Sequence, residues 1–541
     1  MMERVNIIGA GLAGLSAAIT LAEHGMACRL ISLQTSERAQ SVLAEGGINA
    51  ALNTMGEHDT VQEHYDDTMA GGVWLADPDA VRGLTEHAPD IVRWLAALGV
   101  PFHMEEGRIL LRNFGGQKKK RTAYAKSSTG KMIVQALVDE ARKYEAAGCI
   151  ERYPHHAFIR LLLTEAQEER SCLGVRIRDT YSEKLFDLAG PVILASGGMN
   201  GIFPNMTTGT TGNSGDVTAT VFSQGVVLSN LEMIQYHPTT IRIPGKRCLV
   251  TEAARGEGGR LYIKKDGVPW YFMEEKYPKL QNLMPRDVVS REMFFVSERK
   301  DCEKPVCLDM TALSERIWEK KLSDLREEIQ YYLGVDPAIE PIPVEPGIHY
   351  FMGGIDTDSG HRTNIRNLYA AGECSSQYHG ANRLGGNSML GAVYGGRVSA
   401  RQVLSGELFG QNGEQEGVTE LPEDAPEPLA EEVSPAFANQ LGSILAEGLG
   451  IVRSRERLDN ALEKLRELRT TVQRERNRLL LAEAMLRCAA MREESRGAHY
   501  REDYPERREE FHKRITAQCL DGRIGLALQA VSGRRGGQHA D

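Results

Sequence analysis

Cysteine is scarce and scattered in this 541-residue chain: nine residues, at 28, 149, 172, 248, 302, 307, 374, 488 and 519, none at CxxC spacing. An odd, dispersed set excludes a disulfide framework. The missing CxxC and CxxCH spacings exclude a zinc, iron–sulfur or c-haem site built from this chain alone, so no metal site is expected. Long apolar runs are also missing. No stretch approaches the roughly 18 apolar residues of a membrane span, and Met1-Met2-Glu3-Arg4 leads directly into an apolar strand with no signal-peptide pattern. The expectation is a cytoplasmic, soluble protein, peripheral to the membrane only through a partner. Positive charge is not in excess: 64 Lys and Arg against 74 Asp and Glu leave −10. That argues against a general nucleic-acid or acidic-membrane binder, which needs a positive surface. A local basic pocket is still allowed.

Glycine, in contrast, is abundant. The 55 glycines are about one residue in ten, against a usual share of roughly 7%. They have no three-residue period, so collagen is excluded. The first cluster is the most informative. Val5-Asn6-Ile7-Ile8 reads as a strand, Gly9-Ala10-Gly11-Leu12-Ala13-Gly14 as a GxGxxG turn, Leu15 to Ala22 as a helix and Ala27 to Ser32 as the next strand. In this context Gly9 permits the tight turn, Gly11 lets backbone approach a pyrophosphate, and Gly14 lets helix and strand pack closely. The acid expected at the end of the second strand, for ribose hydroxyls, is replaced by Ser32.

Five further clusters follow: Gly46-Gly47, Gly197-Gly198, Thr207 to Asp216, Gly372-Glu373, and Gly380 through Gly396. They read as loops at the strand ends of one sheet, converging on a single long ligand. The fold class expected is α/β: a Rossmann-like cofactor domain, discontinuous over 1–233 and 350–410, with an α+β capping insertion at 234–349. Residues 411–436, acidic with Pro422, Pro426, Pro428 and Pro435, read as a linker. The remainder, 437–541, reads as a C-terminal helical domain, because Leu458, Leu462, Leu465 and Leu468 repeat at helical spacing and Leu479 to Met491 suggests a second helix.

Nearly the whole chain resembles the flavoprotein subunit family of fumarate reductase and succinate dehydrogenase, with L-aspartate oxidase as a relative. The motifs are GAGLAGLSAA at the start, AEGGI at 44–48, NFGGQKKKRTAYAKSSTG at 113–130, YHPT at 236–239, TEAARGEGG at 251–259, RDVVSR at 286–291, HYFMGGI at 349–355, AGECSSQYHGANRLGGNS at 371–388 and ESRGAHYREDYPER at 494–507. The resemblance implies FAD as the cofactor and a C4 dicarboxylate bound between the FAD domain and the cap. Reducing fumarate needs a hydride from flavin N5 at one alkene carbon and a proton at the other, with both carboxylates clamped by donors.

By resemblance, His237 and Thr251 bind one carboxylate, and His349 and Arg383 bind the other. Arg286 matches the proton donor. Glu252 and Arg255 complete an Arg–Glu–Arg relay that re-protonates it. For the cofactor, Glu373 matches the acid on the ribose of the adenosine half. Asn387, Ser388, Gly46, Gly47 and Asp216 match residues lining flavin or pyrophosphate. Plain alternatives stand beside these. Taken alone, His237 is a turn residue before Pro238 and Arg383 a surface arginine. Glu252 and Arg255 also fit an i, i+3 ion pair on a helix, Arg286 a helix N-terminal charge, and Asp216 a helix N-cap.

Two departures from the family pattern matter. Members that attach FAD covalently do so through a His six residues before the first Gly of the Gly-Gly pair. Here that position is Gln40, and the nearest histidines are His24 and His58. A non-covalent FAD is therefore expected, which favours fumarate reduction or aspartate oxidation over succinate oxidation. The loop Ser375 to His379 is also one residue shorter. Against L-aspartate oxidase, Phe114-Gly115-Gly116 and Arg121-Thr122 follow the reductase pattern. The acid that would hold a substrate ammonium is not matched by Glu105 or Glu106. A third, remote alternative, a non-catalytic or nucleic-acid-modifying flavoprotein, would need a basic face or loss of His349 and Arg383. With no cluster ligands of its own, the reductase reading implies a separate iron–sulfur subunit as electron donor.

Overall fold

The computed structural model describes residues 4–125, 128–164, 170–405 and 432–531. Most of the expected linker, up to residue 431, lies outside the described residues, as do Lys126 and Ser127 of the 113–130 motif.

A five-stranded parallel sheet carries the architecture. Its order is Leu368–Ala370, Val192–Leu194, Val5–Ile8, Cys28–Ser32 and Ile150–Pro154. Every neighbour pair is parallel. The central strands are apolar on both sides because helices cover them, as a parallel sheet requires. Helices Leu12–Glu23, Pro78–Ala97, Thr129–Ala146 and Asn387–Leu404 pack over one face, sharing a core with Ile7, Leu30 and Ile193. An antiparallel sheet, His156–Leu163, Cys172–Asp179 and Leu185–Ala189, joins the core on the other. Chain segments far apart in the sequence thus build one sheet, and its carboxyl ends gather the glycine loops.

The inserted segment leaves and returns through an antiparallel ladder, Ile234–Ile243 against Glu345–Phe351. Beyond it lies a separate apolar core running from Ile241 to Val344, with Leu261, Phe272, Val289 and Trp318 fully buried. A core of its own lets this unit keep its shape independently of the cofactor sheet.

The C-terminal segment departs from the all-helical expectation. Three helices are present, Pro435–Gly448, Arg455–Glu467 and Gln473–Met491. In the second, Leu458 and Leu465 are buried and Leu462 packs on the same core. After them comes a hairpin, Lys513–Leu520 with Arg523–Ala530, which adds to Leu228–Ser229 in a five-stranded sheet. The signal was local. Asp521-Gly522 has φ of 49° and 74°, the left-handed pair of a type I′ turn, and Asp-Gly between alternating strands favours it.

The ESRGAHYRED stretch forms a buried ionic brace. Arg492 bonds Glu232 at 2.7 Å and Glu494 at 2.9 Å, Arg496 bonds Glu494 at 2.7 Å, and Arg501 bonds Asp503 at 2.6 Å. The brace reaches the loop ahead of Arg383. Ala498 N donates to Ala381 O at 2.9 Å, and a Cβ on Gly497 would stand 2.5 Å from that same oxygen.

Candidate active site

One cavity runs from the Gly9–Ala13 turn, along the carboxyl ends of the parallel strands, to the seam beneath the inserted unit. Ligands of open α/β sheets occupy this crevice. At its sheet end, Gly9 has φ of +115° and a Cβ there would lie 2.1 Å from Ala195 O. Gly14 sits one layer below, where a Cβ would lie 1.8 Å from Gly9 O. Gly11 is the N-cap of helix Leu12–Glu23, which has no side-chain cap and no acid in its first turn. Leu12 N donates to the Ser41 hydroxyl at 3.3 Å, and a helix start of this kind suits an anion. Ser32 lines the same end and donates its hydroxyl to Gln34 O at 2.7 Å.

Further along, Gly46, Gly47, Gly197, Gly198 and Ser388 line the cavity. Gln40 lines it too, its Oε1 accepting from Thr210 N at 2.5 Å. Asp216 is on the wall, with Oδ1 accepting from Arg478 Nε at 2.6 Å. It is the first residue of its helix. The cap position belongs to Gly215, whose φ of +75° places it in the left-handed region, so the N-cap alternative for Asp216 does not hold. Asn387 stands behind the wall, not on it. Its amide is fully buried, donating to Thr68 Oγ at 2.9 Å and accepting from Asn49 Nδ2 at 2.8 Å.

Glu373 also differs from expectation. It follows the edge strand Leu368–Ala370, two places from Val5–Ile8, whereas Ser32 closes the strand on the opposite side. Its Oε1 accepts from Phe351 N at 3.1 Å, and a Cβ on Gly198 would lie 2.4 Å from it. It therefore belongs with the His349–Arg383 end, across the sheet from Ser32. Burial raises its carboxyl to about 7, partly offset by the Phe351 amide and Arg383.

The far end of the cavity collects His237, Thr251, Glu252, Arg286, His349 and Arg383. The ladder explains how. Ile234–Ile243 pairs with Glu345–Phe351, with His237 opposite Gly347, and this brings the His237 and His349 rings to 5.1 Å. Helix Arg286–Ser297 packs on the ladder, Ser290 Oγ donating to Tyr236 O at 3.3 Å. Arg286 at the helix start faces Glu252, the first residue of helix Glu252–Gly256.

Glu252 is the hub. Its Oε2 accepts from Arg286 Nε at 2.9 Å and Nη2 at 2.6 Å, and its Oε1 accepts from Gly115 N at 3.0 Å. Arg255 lies behind, 3.8 Å from Glu252 Oε1, with Nη1 donating to Asn282 O at 2.6 Å. The i, i+3 pair of the plain alternative is thus present, and Arg286 extends it. Burial alone would raise the Glu252 carboxyl. The Arg286 and Arg255 guanidiniums, with the Arg286 and Gly115 hydrogen bonds, outweigh it and hold it down to about 2.

Burial, then Arg286, lowers the Arg383 guanidinium to about 9. Arg383 is 4% exposed and not a surface residue, and it lies over the Tyr350 ring at 4.4 Å. Burial first, then the neighbouring arginines, pushes His237 and His349 well below the usual imidazole range, so both are neutral near pH 7. Arg383 Nε, in this wall, makes no hydrogen bond, and neither do Arg255 Nε and Nη2 behind Glu252.

Two further contributors are Gln235, outside every motif, and Thr208, within the Thr207–Asp216 cluster. Gln235 Oε1 accepts from Arg286 Nη1 at 3.1 Å while its Nε2 donates to Arg383 O at 2.9 Å, tying the two arginines together. Thr208 Oγ lies 2.8 Å from His349 Nδ1. Gln235 directly precedes the Tyr-His-Pro-Thr motif, and that adjacency was its only available sign.

The chain matches the FAD binding domain family over residues 4–389 and the fumarate reductase flavoprotein C-terminal family over residues 471–532. It is 36% identical to the succinate dehydrogenase flavoprotein subunit of Bacillus subtilis, covering 93% of this chain and 92% of that one. It is 32% identical to the L-aspartate oxidase of Streptomyces coelicolor, covering 97% of this chain and 93% of that one. A solved structure of E. coli quinol fumarate reductase is similar at a TM-score of 0.87 and 30% identity, covering 100% of this chain and 98% of that one. Among the described residues, no helix is long and apolar enough to cross a membrane.

Proposed function

The chain belongs to the flavoprotein subunit family of fumarate reductase and succinate dehydrogenase, and on that footing we propose that it reduces fumarate to succinate. The observation that carries this reading is the charge and donor balance at the far end of the cavity. Arg255, Arg286 and Arg383 gather at Glu252, held as a carboxylate, and Glu373, at about 7, which leaves net positive charge for a dianion. A buried donor left without a partner costs about 1–3 kcal/mol. The open Nε–H of Arg383, on the cavity wall, would recover that cost on an anionic ligand.

The cavity also fits FAD. The uncapped helix start at Gly11 suits a pyrophosphate, and Gly46, Gly47, Gly197 and Gly198 bring bare backbone to the cavity wall, with a Cβ at the last three colliding with neighbouring protein atoms. Bound FAD supplies the two-electron, hydride chemistry. The chain's residues do the rest. His237 and Thr251 hold one carboxylate, His349 and Arg383 the other, as neutral or cationic donors. Arg286 delivers a proton from its guanidinium to the second alkene carbon. Glu252, bonded to Arg286 Nε and Nη2, returns a proton to it, and Arg255 continues the relay. The free guanidinium is a very weak acid, so this role depends on the carboxylate beside it and on exclusion of water.

Gln40 supports a non-covalent FAD, because an amide cannot form the histidyl bond, and a non-covalent flavin favours the reductive direction. A separate iron–sulfur subunit would deliver the electrons. Two facts support this: the described residues hold no group of three or more metal-ligating side chains, and the Bacillus subtilis relative is itself a subunit. The deciding experiment is an anaerobic and aerobic assay of the FAD-loaded chain with fumarate, succinate and L-aspartate side by side. Dye-driven fumarate reduction should dominate. Oxygen-dependent L-aspartate turnover by the lone chain would overturn the reading.

A further inference from the structure

The loop Phe114 to Gln117 lies against the loop that carries Arg383. A Cβ on Gly385 would stand 3.2 Å from Phe114 Cβ, and one on Gly116 would stand 3.2 Å from Leu384 Cδ1. Both loops serve the site. Phe114 is on the cavity wall, Gly115 N donates to Glu252, and Arg383 lies two residues before Gly385. Between the loops sits Gln117, 7% exposed and without a role in the scheme above. Its Nε2 donates toward Asn49 Oδ1 at 3.0 Å, Gly385 O at 3.0 Å and Thr122 Oγ at 3.2 Å. Its Oε1 accepts from Phe114 N at 3.3 Å.

The hydrogen count fixes how this amide sits. Phe114 N is a donor and Gly385 O an acceptor, so only one orientation of the amide satisfies both. The next stretch of the Arg383 loop has a separate anchor in Asn49. Its Nδ2 donates to Gly385 O at 2.7 Å and to Asn387 Oδ1 at 2.8 Å, and its backbone N donates to Gly386 O at 3.2 Å. Gln117 alone of the two reaches back to Phe114 and the Gly115 donor. The ionisable neighbours lie on the far side of Asn387 and Thr122. Arg121 is fully buried against Asp59 and Asp67, at 2.9 Å each. His64 meets Asn387 Oδ1 at 3.0 Å, and burial, then Arg121, holds its imidazole down to about 3.

We propose that Gln117 is a positioning residue for the substrate clamp. Its amide ties Gly385, and through it Arg383, to the loop that offers Gly115 to Glu252, so the clamp and the relay keep a fixed spacing. The inference rests on the reading in which Arg383 binds a substrate carboxylate.

The test uses the FAD-loaded full chain and malonate, a dicarboxylate that cannot be reduced, with flavin absorbance giving the Kd between pH 6 and 8.5. Gln117→Met keeps the length and removes both N–H donors. Its malonate Kd should lie roughly tenfold above wild type at every pH. Gln117→Glu places a carboxyl among acceptor oxygens, where burial raises it toward neutrality. While neutral it keeps one O–H for Gly385 O; once ionised it is acceptor-only. Its Kd should therefore be near wild type at pH 6 and roughly tenfold above it at pH 8.5. Both variants should retain FAD, because Asn49 still holds Gly386 and Asn387. Glu252, Glu373 and Arg383 are common to all three proteins and cancel in the ratio to wild type. A Gln117→Met Kd within twofold of wild type would overturn the inference. So would a Gln117→Glu ratio that does not change with pH, since a packing role alone gives no such step. Loss of FAD from both variants would overturn it too, because the amide would then serve the cofactor loop. Absence of any malonate response in the wild type would overturn the dicarboxylate reading itself, and this inference with it.

Discussion

Replacing Glu252 by Gln tests the centre of the site with almost no change in shape. The carboxylate accepts two hydrogen bonds from Arg286 on one oxygen and one from Gly115 N on the other, with Arg255 at 3.8 Å. In Gln, one of those oxygens becomes an NH2 group. Either Arg286 or Gly115 then faces a donor with a donor, and two buried guanidiniums lose their counter-ion. The depression of the Glu252 carboxyl from its usual value to about 2 corresponds to about 3 kcal/mol of stabilisation of the charged form. That agrees with the roughly 3–5 kcal/mol lost when one partner of a buried pair is removed. The sign follows from the direction. The folded-state value is depressed, so this stability is present in full above the unfolded carboxyl value and is withdrawn as pH falls toward 2. At pH 7, Glu252→Gln should lower stability by about 3 kcal/mol in urea unfolding, and this difference from wild type should shrink on acidification. Kinetically, loss of the relay should cut kcat for fumarate about 100- to 10,000-fold. KM should not rise, because removing a negative charge favours a dianion. Steady-state fumarate reduction with a reduced dye measures both. Turnover within threefold of wild type, with unchanged stability, would refute the placement of Glu252 between the two arginines as a working relay.

Arg286→Ala should keep FAD and malonate binding while turnover falls about 100- to 10,000-fold; retained turnover would remove Arg286 as the proton donor. Gly14→Ala places a methyl 1.8 Å from Gly9 O, so FAD affinity and Tm should both drop, by about 1–3 kcal/mol of overpacking, as read by flavin fluorescence titration and thermal melting. Gly497→Ala is strained by its φ of +55° and meets Ala381 O at 2.5 Å. It should shift the loop carrying Arg383 and weaken malonate binding several-fold while leaving FAD affinity near wild type. Acid precipitation of the loaded chain should release all flavin to the supernatant, since Gln40 offers no covalent link; flavin retained in the pellet would contradict that.

Some of this protein was determined locally, by residues whose neighbours in the chain suffice. Strand, GxGxxG turn and helix in one short run specify the cofactor loop, because the turn needs Gly9 at positive φ and Gly14 beneath it whatever the rest does. The hairpin at Asp521-Gly522 was equally local and legible, and leucine spacing upstream obscured it. Tertiary structure decided what depends on distant segments meeting. His237 and His349 share a site because of the register of the Ile234–Ile243 and Glu345–Phe351 ladder, and no spacing in the chain encodes a register. The place of Glu373 follows from strand order, which puts it across the sheet from Ser32, and Asn387 is withdrawn from the wall by partners on other elements. Protonation is the clearest case. Two glutamates of the same intrinsic acidity end near 2 and near 7, at Glu252 and Glu373. Folding sets Glu252 against two guanidiniums that outweigh its burial, whereas at Glu373 burial prevails.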